Sequence, residues 1–201
     1  MAQVLAENYV NVGNFRVRYL ESGDGEAVLV IVPPPNVSAN RFMNIIKNVA
    51  AAGFKVIHMD LSSAPANMNK VSKVTALSLI VKNLNGKKMI LAGVGQGGGI
   101  ALDYLTQSRY NAITGVVLIS TPRVINYLDE LPKLNTPILL VYSINDPNAP
   151  VEEANAVKSV VKNAKLMLID GDWLSELDKV TQSMISWMIE LTKSGATLKG
   201  S

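Results

Sequence analysis

Apolar and polar residues alternate through Tyr9-Val10-Asn11-Val12 and through Phe15-Arg16-Val17-Arg18-Tyr19, on either side of Gly13-Asn14. A period of two around a glycine turn predicts a hairpin with one buried face. Over residues 28–32 the alternation stops and every position is apolar, the pattern of a strand covered on both faces. Prolines end that strand at 33–35. The period then changes to that of a helix over about 40–52, where Phe42, Ile45, Ile46 and Val49 form one stripe ahead of Gly53. The same alternation of strand and helix recurs down the chain. A strand at 54–59 precedes a helix at 71–84, closed by Asn85-Gly86. A strand at 89–92 leads through the glycine-rich turn 93–99 into a helix at 100–107. Strands at 116–120 and 138–142 flank a short excursion through Tyr127 and Leu131. A helix at 151–161, a strand at 166–169 and a helix from about 174 to 191 complete the pattern.

An antiparallel hairpin followed by alternating strands and helices predicts the α/β class, with a mostly parallel sheet and helices on both faces. The expected organisation is one domain over residues 1–194 and a flexible polar tail at 195–201.

Composition narrows the chemistry. The 201 residues include no cysteine, which excludes disulfides, thiolate metal sites and a cysteine nucleophile. A single histidine, His58, excludes multi-histidine zinc centres. Neither a metal nor a cofactor is expected. Basic residues exceed acidic ones by three, but the lysines are scattered and aromatics make up 5% of the chain, which argues against nucleic acid. With 17% charged residues against the usual quarter, an apolar contact face and a homodimer are favoured. The first residues lack the basic and apolar regions of a secretory leader, and no apolar run is long enough to span a membrane. A cytoplasmic, soluble protein is the expectation.

Gly93-Val94-Gly95-Gln96-Gly97-Gly98-Gly99 lies between a strand and a helix. Two readings compete for it. Gly93, Gly95 and Gly98 satisfy the dinucleotide fingerprint G-x-G-x-x-G, in which a pyrophosphate approaches a helix N-terminus. Against that, two buried strands precede the turn, and the next strand, Val116-Val117-Leu118-Ile119-Ser120, ends without an acidic residue.

The second reading is a nucleophile elbow. The chain resembles the α/β-hydrolase family over nearly its whole length. The resemblance runs through the opening hairpin, Ala51-Ala52-Gly53-Phe54, and the strand Val56-Ile57-His58-Met59-Asp60. It continues in Leu91-Ala92-Gly93-Val94-Gly95-Gln96-Gly97-Gly98, which matches the elbow L-x-G-x-S-x-G-G except at the serine. Leu140-Val141-Tyr142-Ser143-Ile144-Asn145-Asp146-Pro147 is similar to the segment that bears the family's acid, and Gly171-Asp172-Trp173 to its G-H-W segment. The implied fold is a hydrolase core without a cap, since only residues 121–136 lie where larger members insert one.

The resemblance also shows what the chain lacks. The acid position holds Asp146, which alternatively caps its own turn. The nucleophile position is Gly95, which has no side chain to acylate. The base position is Asp172, ill suited to relay a proton. After the first buried strand, where the family donates an oxyanion N–H, stand prolines 33–35, which have none, so the Gln96 amide alone remains. His58 precedes the elbow on a buried strand, and a hydrogen-bonded core or strand-end histidine is expected there. Ser62 and Ser63 read as turn chemistry after Asp60. A glycine at the elbow is also similar, locally, to the non-catalytic N-myc downstream-regulated proteins.

These residues imply a non-catalytic hydrolase-like protein that binds a small molecule or a protein partner at the mouth of the lost active site. Pro34, Pro35, Gly95, Gln96, Asp146, Asp172 and Trp173 are the expected lining, although Trp173 equally suits the core. The alternatives are an esterase-like hydrolase in which Asp146 and Asp172 form an acid/base pair, a dinucleotide-binding protein, and a chain with deliberately replaced catalytic residues. Three losses in separate segments fit divergence better than replacement.

Overall fold

Along residues 28–32 alternate side chains enter two different cores, which is why the sequence there is apolar at every position. Val28, Val30 and Val32 face one apolar cluster, and Leu29 and Ile31 face the other. The computed structural model describes residues 5–84, 87–108 and 113–197, with side chains to residue 193 in the last helix. The hairpin is β1 (Ala6–Val12) and β2 (Phe15–Ser22). It is followed by β3 (Ala27–Val32), α1 (Met43–Ala51), β4 (Lys55–Met59), α2 (Lys70–Lys82), β5 (Lys88–Val94) and α3 (Gly97–Gln107). Then come β6 (Ile113–Ile119), β7 (Ile138–Ser143), α4 (Val151–Val160), β8 (Ala164–Ile169) and α5 (Leu177–Thr197).

The strands form one eight-stranded sheet in the order β1-β2-β4-β3-β5-β6-β7-β8. Pairing is antiparallel from β1 to β2 and from β2 to β4, and parallel from β4 to β8. Leu77 and Ile80 of α2, Leu102 of α3 and Val157 of α4 cover one face. The other face is covered by Ile45, Ile46 and Val49 of α1 and by Val180, Met184 and Met188 of α5. Between β6 and β7 the chain makes two 3-10 turns, Val124–Tyr127 and Leu131–Leu134, and no cap domain.

Several expected boundaries shift for identifiable reasons. Phe42 belongs to a 3-10 turn, Ala39–Phe42, that leads into α1, although its ring still joins the α1 stripe in the core. β5 runs past Ala92 because Gly93 and Val94 continue to pair with Leu118 and Ile119. α3 starts at Gly97 rather than at residue 100. Glycines cost a helix about 1 kcal/mol each relative to alanine, but close packing under this helix requires Gly97 and Gly98. A Cβ on Gly98 would stand 2.0 Å from Thr121 Oγ1. α5 starts later than expected, because residues 173–176 form a turn, and runs to Thr197, into the stretch read as a tail. The expected closing pair Asn85-Gly86 and residues 198–201 lie outside the described residues.

Candidate functional site

Parallel strands deliver their C-terminal ends, and the loops that follow, to one edge of the sheet. A cavity of about 890 Å³ opens there. Pro34, Pro35 and Val37, after β3, form one wall, and Lys70 and Lys73 of α2 form the next. Gly95, Gln96 and Ile100 bring in the β5–α3 turn. Ser120, Arg123 and Tyr127 follow β6, while Asp146 follows β7 and Trp173 follows β8.

The turn at the centre is two residues long. Gly95 sits at φ +53°, in the left-handed region that favours glycine. Its N–H donates to Ile119 O at 2.8 Å, and Gly98 N–H donates to Gly95 O at 3.0 Å. Two of the glycines that spell the dinucleotide pattern, Gly93 and Gly98, have a packing use. A Cβ on Gly93 would lie 2.4 Å from Gly98 Cα, so this pair lets α3 cross β5 at close range.

Six of the seven expected residues line the cavity, and Asp172 does not. Its Oδ1 accepts the N–H groups of Leu174 at 3.0 Å and Ser175 at 3.1 Å, and its carbonyl accepts Ser175 Oγ–H at 2.9 Å. The exposed carboxylate is thus committed to starting the turn that leads into α5. Those Ser175 contacts, with the Leu174 amide, hold its pKa below the ordinary aspartate value. An acid/base pair with Asp146 needs a raised carboxyl, and Asp172 is shifted the other way. Asp146 reaches the cavity but also accepts Asn148 N–H at 2.9 Å, the local cap expected of an N-D-P turn.

His58 corrects a second expectation. It is fully buried in β4, yet among the described residues neither ring nitrogen has a hydrogen-bond partner. Its ring packs against Phe42 at 4.8 Å, and Phe42 in turn stacks on Trp173 at 6.0 Å. Burial pushes the imidazole pKa down to about 4. His58 is therefore neutral near pH 7 and does not line the cavity. Asp60 accepts Arg18 Nη2–H at 2.6 Å and Ser62 Oγ–H at 2.7 Å, and its carbonyl accepts Ser63 Oγ–H at 3.1 Å. Both serines are thereby engaged in turn chemistry.

Sequence reasoning missed Lys70, Lys73, Ser120, Arg123 and Asn126. Ser120 and Arg123 carry positive φ angles, 43° and 59°. Ser120 is 4% exposed, and among the described residues its Oγ has no hydrogen-bond partner. Position at the end of a parallel strand was the available signal for it. The two lysines lie three residues apart on one helix face, which is visible only once α2 is placed beside the elbow.

Comparison with known proteins agrees with this geometry. The profile of the Alpha/beta hydrolase family matches residues 28–179. The chain belongs to that family. No curated protein gave a match. Among solved structures, this alpha/beta hydrolase is similar to a predicted CIB-like hydrolase from Thermoplasma acidophilum, at TM-score 0.81 and 13% identity over 93% of this chain and 99% of that one. It is also similar to Est1E from Butyrivibrio proteoclasticus, at TM-score 0.80 and 14% identity over 93% and 99%. MGS-MChE2, an alpha/beta hydrolase enzyme from a sediment metagenome of the Mar Chica lagoon, matches at TM-score 0.74 and 20% identity over 91% and 98%. At such identities the likeness is one of fold.

Proposed function

We propose that this alpha/beta hydrolase has lost triad chemistry and binds a small molecule or a protein partner in the cavity beside the elbow. One observation carries the reading. Where the fold presents a nucleophile, between β5 and α3, this chain presents Gly95, which has no side chain. Two further features support it. Asp172, at the position matched to the family's histidine, is spent on the turn before α5. Residues 33–35 offer no N–H, and loss of one oxyanion donor costs roughly 10²–10³ in rate.

A second reading, hydrolysis by unconventional groups, draws on Ser120, a buried hydroxyl on the cavity lining. It lacks a histidine base, because the single histidine is enclosed beside Phe42. A screen of p-nitrophenyl acetate, butyrate and octanoate separates the two. The expected result is no saturable turnover by the unmodified protein. Saturable turnover that Ser120→Ala abolishes would overturn the binding reading.

A further inference from the structure

We propose that the cavity takes an organic carboxylate, with Lys73 and Arg123 as its charge partners and its apolar body against Trp173. This rests on the reading of the cavity as a ligand site. Three basic side chains, Lys70, Lys73 and Arg123, line it against one carboxylate, Asp146. Lys70 is already engaged, with its Nζ 2.7 Å from Asp103 Oδ2. Lys73 is half-buried, and neither it nor Arg123 has an ion pair among the described residues. The two approach from different walls, one on α2 and one after β6. A partly desolvated cation without a counter-charge is unfavourable until an anion joins it. That argument holds for half-buried Lys73, and exposed Arg123 adds a second positive charge to the same concave site, which favours anionic ligands over neutral ones.

The floor adds an independent demand. Among the described residues Ser120 Oγ is buried and unpartnered, and its chain neighbours Ile119 and Thr121 lie against Gly95 and Gly98 at the start of α3. The amide of Gln96, a lining residue at that turn, has no acceptor within the helix. An acceptor-rich head group suits these donors. The remaining walls include Pro34, Val37, Ile100 and Trp173, which suit a hydrocarbon body. Charge balance selects between anions. Two unpaired cations with Asp146 in the same cavity match a monoanion, whereas a phosphate dianion would be repelled by that carboxylate.

The tryptophan side chains supply the readout. Trp173 lines the cavity, while Trp187 borders a separate groove with Lys165 and Leu191 and serves as an internal reference. The full chain, labelled with 15N-tryptophan, is titrated with hexanoate, hexanamide, phenylacetate, phenylacetamide and phenyl phosphate. The carboxylates are expected to move the Trp173 indole signal, leave that of Trp187 in place and bind about 10-fold more tightly than their amides. Lys73→Gln and Arg123→Gln are each expected to weaken carboxylate binding about 3- to 10-fold, with an unchanged Trp187 signal confirming the fold. Amides that bind as tightly as carboxylates would overturn the proposal and leave the ligand-site reading intact. Tighter binding of phenyl phosphate than of phenylacetate would overturn the choice of carboxylate. If no probe moves Trp173, both this proposal and the ligand-site reading fall.

Discussion

A Cβ placed on Gly95 would stand 3.2 Å from Pro34 Cγ, closer than side chains normally pack. The elbow and the proline segment after β3 are therefore fitted to each other, and neither is a simple vacancy. Restoring the family's serine meets two costs at once, the left-handed backbone at φ +53° and the proline ring. Gly95→Ser should lower stability by about 1–2 kcal/mol, read as a lower urea midpoint. It should also create no esterase activity, because no histidine lines the cavity. Saturable p-nitrophenyl ester turnover by the variant would contradict this.

A larger penalty is expected one turn into α3. Gly98→Ala improves helix propensity, yet its methyl group would lie 2.0 Å from Thr121 Oγ1 and 2.4 Å from Thr121 Cγ2. Overpacking of this kind costs about 1–3 kcal/mol. Thr121→Ala removes both atoms, so a double-mutant cycle should show Gly98→Ala costing less in that background. Equal costs in both backgrounds would mean that the two residues do not compete for space.

Burial of His58 sets a pH dependence whose sign follows from its lowered pKa. The folded state holds the ring neutral down to about pH 4, whereas the unfolded chain binds the proton below about 6.5. Stability from this group is present above the unfolded value and is lost as pH falls from about 6.5 to about 4. The loss amounts to at most about 3 kcal/mol. Thermal melts at pH 7 and pH 5 should show the decline in the natural chain and a shallower one in His58→Leu. Parallel declines would assign the acid sensitivity to other groups.

The excursion between β6 and β7 is fastened at Tyr127, whose hydroxyl donates to Asp103 Oδ1 at 2.5 Å. Burial, and then that carboxylate, raise the phenol pKa, so the hydroxyl remains a donor at any moderate pH. Tyr127→Phe should cost about 1–3 kcal/mol and raise amide exchange chiefly over residues 121–136. Exchange unchanged there would show that apolar packing alone fastens the strap.

The architecture was legible because it depends on periodicity. Val28 to Val32 and Phe42 to Val49 carry patterns that few folds satisfy, and the order of motifs confined them to one. The cavity was read less completely. Pro34, Gly95, Asp146 and Trp173 were found through motif positions, but Lys73 and Arg123 belong to no motif and meet only through packing. Asp172 was misplaced because motif matching says nothing of side-chain direction, and the free N–H groups of the next turn captured its carboxylate. His58 was read as hydrogen-bonded because buried polar groups nearly always are. Phe42 packs against its ring instead.

Ser120 and Arg123 show what selection has tolerated at the mouth. Both hold left-handed backbone angles that glycine adopts without steric cost. A lineage screened for robustness alone would drift towards glycine at both sites. The hydroxyl and the guanidinium stand at two positions after β6 where foldability alone favours glycine.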